Sequence, residues 1–425
     1  MRGPGSPDAE AAAVALFTGP GLDALVAGVL RGHDSGNDDD AGRGGEHSGP
    51  AGEPAGADPA RWTLRRVHHR PGASVTAVVD VAARAGRPGG TLCLSTAAPP
   101  TPWPATVRRA DHDDLGLITW WLPHDPWLPG LPLASSPEAV GREVFGSTVP
   151  AALVPQSYRP TRRAVLRAVH EGDVRFLKVL RRGRAAALHG RHRLLRDAGL
   201  PVPAPDGEPV DDVVVLHALA GTPLAAAVRA DGAAALAPEH VLALLGALPP
   251  AVLELPARPS WTDRVLDHGR AAAVALPEEA ARVRDLAHAV DAARRTTGPG
   301  PLVPTHGDLY EANLLVDPAV RGPFGPVTGL LDVDAAGPGR RADDLGCFVA
   351  HLAVLPTVDR RYRHAPAAAE RFLAGFDAVV DPAALRVRAA GVVLSLVAGA
   401  RRTGGPPDRA LRRLELAEQF LARAG

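Results

Sequence analysis

Residues 306–315 read HGDLYEANLL, and nineteen residues after Asn313 the run VTGLLD (327–332) ends in Asp332. DDLG follows at residues 343–346. Taken singly these residues say little, because Asp and Asn in such stretches usually form turns and caps. The apolar run before Asp332 reads as a buried strand that delivers a carboxylate at its tip. If that strand continued, Asp334 would point to the opposite face. Histidine and aspartate also ligate metals in hydrolases. However, the clustered histidines, in RVHH (66–69) and RHR (191–193), lie far away and lack metal-site spacing.

A second signal lies upstream in RFLKVL (175–180). Lys178 is the only lysine among 47 lysine and arginine residues. Methionine occurs once and tyrosine three times, so the scarcity looks like a compositional bias of the whole sequence. A lysine retained against that bias marks a position that arginine does not serve.

The 425 residues suit two or three domains, and 46% hydrophobic with 22% charged residues fits a globular protein. The formal net charge is zero, so bulk electrostatics gives no reason to expect a nucleic-acid or membrane partner. Two distant cysteines, Cys93 and Cys347, give no disulfide framework and are expected as small buried hydrophobes in a cytoplasmic protein. No signal peptide is expected at the start, and no run of about 18 apolar residues occurs that would span a membrane.

Residues 1–32 read as short helices, AEAAAVALF and LDALVAGVLRG. Residues 33–60 are rich in Gly, Asp and Pro and read as a disordered linker. Residues 61–150 carry β-like runs, WTLRRVHH, SVTAVVDVAA, GTLCLST and LGLITWWL, and read as a β-rich cap. Trp62, Trp103, Trp120, Trp121 and Trp127 fall there, as core aromatics or as a sugar-stacking surface. Residues 151–220 begin with RAVLRAV and VRFLKVL, joined by HEGD as a hairpin. RAAALHGRHRLLRDAG then reads as a helix stopped by Gly199, LPVPAP as extended chain, and DVVVLHALAG as a buried strand broken at Gly221. Residues 221–425 read as mainly helical, interrupted by loop and strand over 302–334.

In this order FLKVL, GLPVP, LAGTPL, HGDLYEANLL, LLDVD and DDLG resemble the aminoglycoside phosphotransferase and choline kinase family, relatives of the protein kinases. The resemblance covers about residues 155–425. It implies an α+β, two-lobed, protein-kinase-like fold with a β-rich N-lobe, a helical C-lobe and here an additional N-terminal cap. It implies an ATP-dependent (or GTP-dependent) phosphotransferase acting on a hydroxyl of a small molecule. Asp308 would be the catalytic base, with His306 bracing its loop. Asn313 and Asp332 would hold Mg²⁺, a hard ion that prefers oxygen ligands. Lys178 would reach the nucleotide phosphates, and backbone groups at Leu216, His217, Ala218 and Leu219 would meet the adenine between the lobes. Asp344, with Asp334, would support the loops.

The sequence departs from the family pattern twice. SYRPTRRAVLR has no glycine to bring backbone close to phosphates, and the helix after Lys178 has no glutamate, offering His189, His192 or Asp197 instead. A nucleotide-binding pseudokinase is therefore the alternative class. The arginine-rich C-terminal helices tilt the acceptor away from polycationic aminoglycosides toward a sugar or amino alcohol, with Arg401 and Arg402 as candidate contacts. An aminoglycoside-modifying kinase is the remaining alternative, and the cap resembles the arrangement of maltokinases.

Overall fold

Alternating β-branched residues make the first sheet, because successive side chains of a strand point to opposite faces. The computed structural model of the chain describes residues 7–35, 61–70, 72–83, 88–98, 101–102, 104–112, 115–298, 300–401 and 407–425. Most of the expected linker, Trp103 and Arg402 lie outside the described residues. Contacts divide the chain into one unit of residues 1–186 with 207–216 and another of 187–206 with 217–425.

In the first unit, α1 (Pro7–Thr18) and α2 (Gly21–Ser35) precede β1 (Trp62–Arg70), β2 (Ser74–Val81), β3 (Gly90–Ser95), β4 (Arg108–His112) and β5 (Leu115–Trp121). These strands form an antiparallel sheet in the order β1-β2-β3-β5-β4. Val75, Ala77, Val79, Leu92, Leu94 and Leu117 bury one face against Phe17, Leu22 and Val26 of the helices. The alternate residues Val78, Cys93, Ile118 and Trp120 form a core on the other face, beside Trp127 and Tyr158. The apolar faces of α1 and α2 are thus core, and no single described helix is long and apolar enough to cross a membrane. Cys93 and Cys347 are both free and buried, as the sequence suggested.

Short helices α3 (Leu131–Ala134) and α4 (Pro137–Phe145) lead to β6 (Ala152–Arg159), β7 (Arg163–His170), β8 (Asp173–Leu180) and β9 (Val213–His217), a second sheet in that order. Glu171 and Gly172 both take positive φ, 49° and 87°, as a tight hairpin turn requires. Asp125 joins the two sheets. Its carboxyl, in a residue only 3% exposed, accepts bonds from the Tyr158 hydroxyl (2.8 Å), the Thr161 N–H (2.8 Å) and the Trp127 N–H (2.9 Å). Tyr158 in turn accepts the Trp120 indole N–H at 3.3 Å. Burial pushes the pKa of Asp125 up, and the three donors oppose that.

α5 (Ala185–Asp197) starts where the carboxylate of Asp212 caps the backbone N–H groups of Gly183, Arg184 and Ala185, and it ends before Gly199 at φ 79°. In the second unit follow β10 (Thr222–Pro223), α6 (Leu224–Asp231), α7 (Pro238–Gly246), α8 (Val265–Ala275), α9 (Ala280–Thr296), β11 (Leu302–Thr305), β12 (Leu314–Val316), β13 (Val327–Leu330) and β14 (Gly337–Arg340). The chain closes with α10 (Arg341–Val358), α11 (Ala365–Phe376), α12 (Pro382–Ser395), α13 (Val397–Ala400) and α14 (Asp408–Ala422). Helices dominate here, and Phe348, Phe372 and Phe376 pack edge to face and tilted between α10 and α11. Two small sheets, β10-β12-β13 and β11-β14, carry the loops that matter below.

Replacing Asp125 by Ala leaves three donors without their buried acceptor. The expected result is a loss of about 3 kcal/mol of stability, read by urea unfolding; an unchanged midpoint would contradict the role given to this carboxyl.

Candidate active site

The segment between β11 and β12 is held by one side chain. Asp344, on the first turn of α10 and 1% exposed, accepts the N–H of His306 and the N–H of Gly307, each at 2.8 Å. Burial pushes its pKa up; the bonds from the two amides and the charge of Arg341 oppose this. His306 is fully buried. Its Nδ1 accepts the Asp308 N–H (3.3 Å), so the proton sits on Nε2, which donates to the Leu331 carbonyl (2.9 Å). Gly307, at φ 79°, leaves no space for a side chain, since a Cβ there would lie 2.6 Å from the Ala335 carbonyl oxygen. The next residue, Asp308, therefore stands on a loop whose backbone is fixed on both sides.

Asn313, 5% exposed, closes the loop by donating its side-chain N–H to the Asp308 carbonyl at 2.8 Å. Its own carbonyl accepts the Leu331 N–H at 2.8 Å, and Leu314 pairs with Leu330. Asn313 and Asp332 are thereby neighbours across the β12–β13 pair. The strand does not continue to Asp334. It stops at Leu330, Asp332 takes a left-handed backbone (φ 55°, ψ 49°), and Val333–Ala335 form one 3-10 turn. Alternation along a strand thus does not set the direction of Asp334. A non-glycine residue in this conformation is uncommon, and such strain gathers at functional sites.

Among the described residues no three His, Cys, Asp or Glu gather as a metal site. Mg²⁺ takes one or two protein oxygens and completes its shell with water and phosphate oxygens, so its site would not be such a cluster. Asn313 and Asp332 offer such a pair.

The model of the phosphotransferase enzyme family, APH, matches residues 161–379, just over half of the chain. The chain belongs to that family. Similar solved structures include a thermostable mutant of aminoglycoside phosphotransferase APH(4)-Ia in apo form, at 17% identity over 67% of this chain and 98% of that one, with a TM-score of 0.44. Ethanolamine kinase from Plasmodium vivax is 12% identical over 64% and 84%, TM-score 0.41. A choline/ethanolamine kinase family protein from Mesorhizobium loti is 16% identical over 69% and 95%, TM-score 0.44. No curated protein matches the chain. As a family member the protein is a small-molecule kinase of the α+β, protein-kinase-like class, with strands preceding helices as the sequence suggested.

In this phosphotransferase Lys178 lies on β8 opposite Val165, half-buried, between the buried Leu177 and Val179. The glycine-free turn between β6 and β7 is organised by Thr161, at φ 62°. Its N–H is bound by Asp125 and its carbonyl by Arg181 Nε (2.5 Å). At the end of β9 Leu216 is buried, and the His217 N–H is already used by the Ala204 carbonyl (2.8 Å). Ala218 and Leu219 follow in non-regular backbone. On α5, His192 uses Nδ1 to bond the Pro203 carbonyl (2.9 Å). The neighbouring Arg191, 7% exposed, reaches the Ala336 carbonyl just after the Asp332 turn (3.3 Å).

Sequence reasoning missed Arg191, and it missed two groups beside the loop. Trp261 donates its indole N–H to Asp308 Oδ1 at 3.3 Å. Glu311 is 6% exposed, and its Oε2 lies 4.0 Å from His351 Nδ1; burial pushes its pKa up to about 7. Tyr310 packs its ring 4.3 Å from that of His351. SWTD (260–263) was a legible capping signature that fixes Trp261 at a helix start.

Burial, with the charge of Arg413, holds His351 down to about 4 from the ordinary 6.5. As pH falls below 6.5 the unfolded chain takes up this proton first, so stability is full above 6.5 and declines toward about 4. In His351→Gln the melting temperature should fall less between pH 7 and pH 5 than in the wild type. Parallel melting curves would contradict a buried neutral imidazole.

Proposed function

We propose that the protein transfers the γ-phosphoryl group of ATP (or GTP) to a hydroxyl of a small molecule, a sugar or an amino alcohol. The carrying observation is the double bond from Asp344 to His306 and Gly307, together with the Asn313 bond to the Asp308 carbonyl. A loop fixed in this way suits phosphoryl transfer, where positioning and charge neutralisation supply most of the catalysis.

Asp308 is the general base. It takes the proton of the acceptor hydroxyl while the new O–P bond forms and the bond between the γ-phosphorus and the β–γ bridging oxygen breaks, releasing ADP. Asn313 and Asp332 hold Mg²⁺, which supplies positive charge for the phosphate oxygens. His306 is a positioning residue, because both its ring nitrogens bond backbone. Asp344 holds the loop, and Asp334 supports the turn after Asp332. Lys178 takes the nucleotide phosphates, and the backbone at Leu216–Leu219 takes the adenine. An ammonium on a slim stem places a point charge, whereas guanidinium is longer, planar and forked. This accounts for a lysine kept where arginine is otherwise the rule.

Asp308→Asn should lower turnover by about 10³-fold in an ADP-release assay with retained nucleotide affinity. Asp332→Ala should abolish Mg²⁺-dependent ATP binding in calorimetry, and Lys178→Arg should raise the KM for ATP and lower kcat. Mg²⁺-independent binding without turnover in the wild type would favour the pseudokinase reading. Phosphorylation of an aminoglycoside in preference to every sugar and amino alcohol would overturn the acceptor class.

A further inference from the structure

Trp261 is the sixth tryptophan of the chain, and it sits against the group proposed as base. Ser260 and Asp263 cap the start of this segment reciprocally: Asp263 donates its N–H to Ser260 Oγ (3.2 Å), and Ser260 its N–H to Asp263 Oδ2 (2.9 Å). This locks the backbone that carries Trp261. The ring is held further by His268 on α8, with centroids 5.7 Å apart and planes tilted by 35°. The indole N–H then bonds Asp308 Oδ1 at 3.3 Å. Trp261 as a residue is half-buried, so part of it is solvent-accessible. Three residues earlier in the same segment stands Arg258, exposed; burial lowers the pKa of Arg191, and the charge of Arg258 adds to this.

We propose that Trp261 positions the base and selects the acceptor, a ring-shaped neutral or anionic polyol such as a sugar. The inference rests on Asp308 being the base. A carboxylate rotates about its last side-chain bond, and a donor fixed on one oxygen removes that freedom, so one orientation meets the incoming hydroxyl. The open indole surface matches the apolar C–H face of a sugar ring, which a short amino alcohol lacks.

The test measures ADP release from MgATP with maltose, glucose, ethanolamine, hygromycin B or water alone as acceptor. Wild type, Trp261→Phe, Trp261→Ala and Asp308→Asn are compared after melting curves confirm folding. Trp261→Phe keeps a ring and loses the N–H. Its kcat should fall about tenfold, with the KM for acceptor and for ATP within about twofold of wild type. Trp261→Ala should lose kcat similarly and also raise the KM for maltose or glucose about tenfold, leaving the KM for ATP unchanged. Wild-type kcat and KM in Trp261→Phe, with Asp308→Asn inactive, would overturn this role of Trp261 while keeping Asp308 as base. Equal losses on ethanolamine and on the sugars in Trp261→Ala would overturn the ring-selective part. An active Asp308→Asn, or a wild type that releases no ADP with any acceptor or water, would overturn the underlying reading.

Discussion

The loop proposed as catalytic depends on a carboxyl that stands outside it. Asp344 sits at the first turn of α10, almost without solvent, and gathers the N–H groups of His306 and Gly307. Bonds of this kind to a charged acceptor contribute about 1.5–3 kcal/mol each, and the burial that strengthens them also makes the carboxyl costly to leave unpartnered. The loop and the helix are therefore fixed together. From this anchor the geometry runs outward: His306 ties Asp308 to Leu331, Asn313 closes the loop, and the β12–β13 pairing brings the Asp332 turn beside it.

The first unit uses the same device at another place. Asp125 is a buried carboxyl that accepts three donors, and one of them is the backbone of Thr161 in the turn between β6 and β7. Glycine-rich turns at phosphate sites owe their shape to residues free to take positive φ. Here a threonine takes that conformation because Asp125 and Arg181 grip both of its backbone polar groups. Tertiary bonds from other stretches of chain thus hold this turn without a glycine.

That explains which features the sequence disclosed. Strands β1 to β3 and β5, the β7–β8 hairpin and the Gly199 helix stop follow from local alternation and turn chemistry, so they were legible. The order of HGDLYEANLL, LLDVD and DDLG singled out Asp308, Asn313, Asp332 and Asp344, which the fold brings to one loop and the turn beside it. Features created by side chains arriving from elsewhere left no local trace. Arg191 reaching Ala336, Trp261 reaching Asp308 and the αL turn at Asp332 belong to this class. SWTD was the exception: its capping pattern could have fixed where Trp261 stands, though not what it touches.

The arginine-rich composition acquires a physical meaning in the same terms. Arginines, both buried (Arg191, Arg413) and exposed (Arg371), act as carbonyl clamps. Arg371 donates to the carbonyls of Gly232, Ala233 and Leu236 beyond the end of α6, Arg413 to Leu396, and Arg191 to both Ala187 and Ala336. A guanidinium carries five N–H groups in a fixed fork, more than the three of an ammonium, and can serve several such acceptors. A drift from lysine to arginine thus costs little across most of this fold and in places strengthens it. The strand position of Lys178, flanked by Leu177 and Val179 in the core, fixes the direction of one slim side chain. A fork there would need a different placement of its charge, which is the geometric reason the proposed function gives for a lysine at this residue.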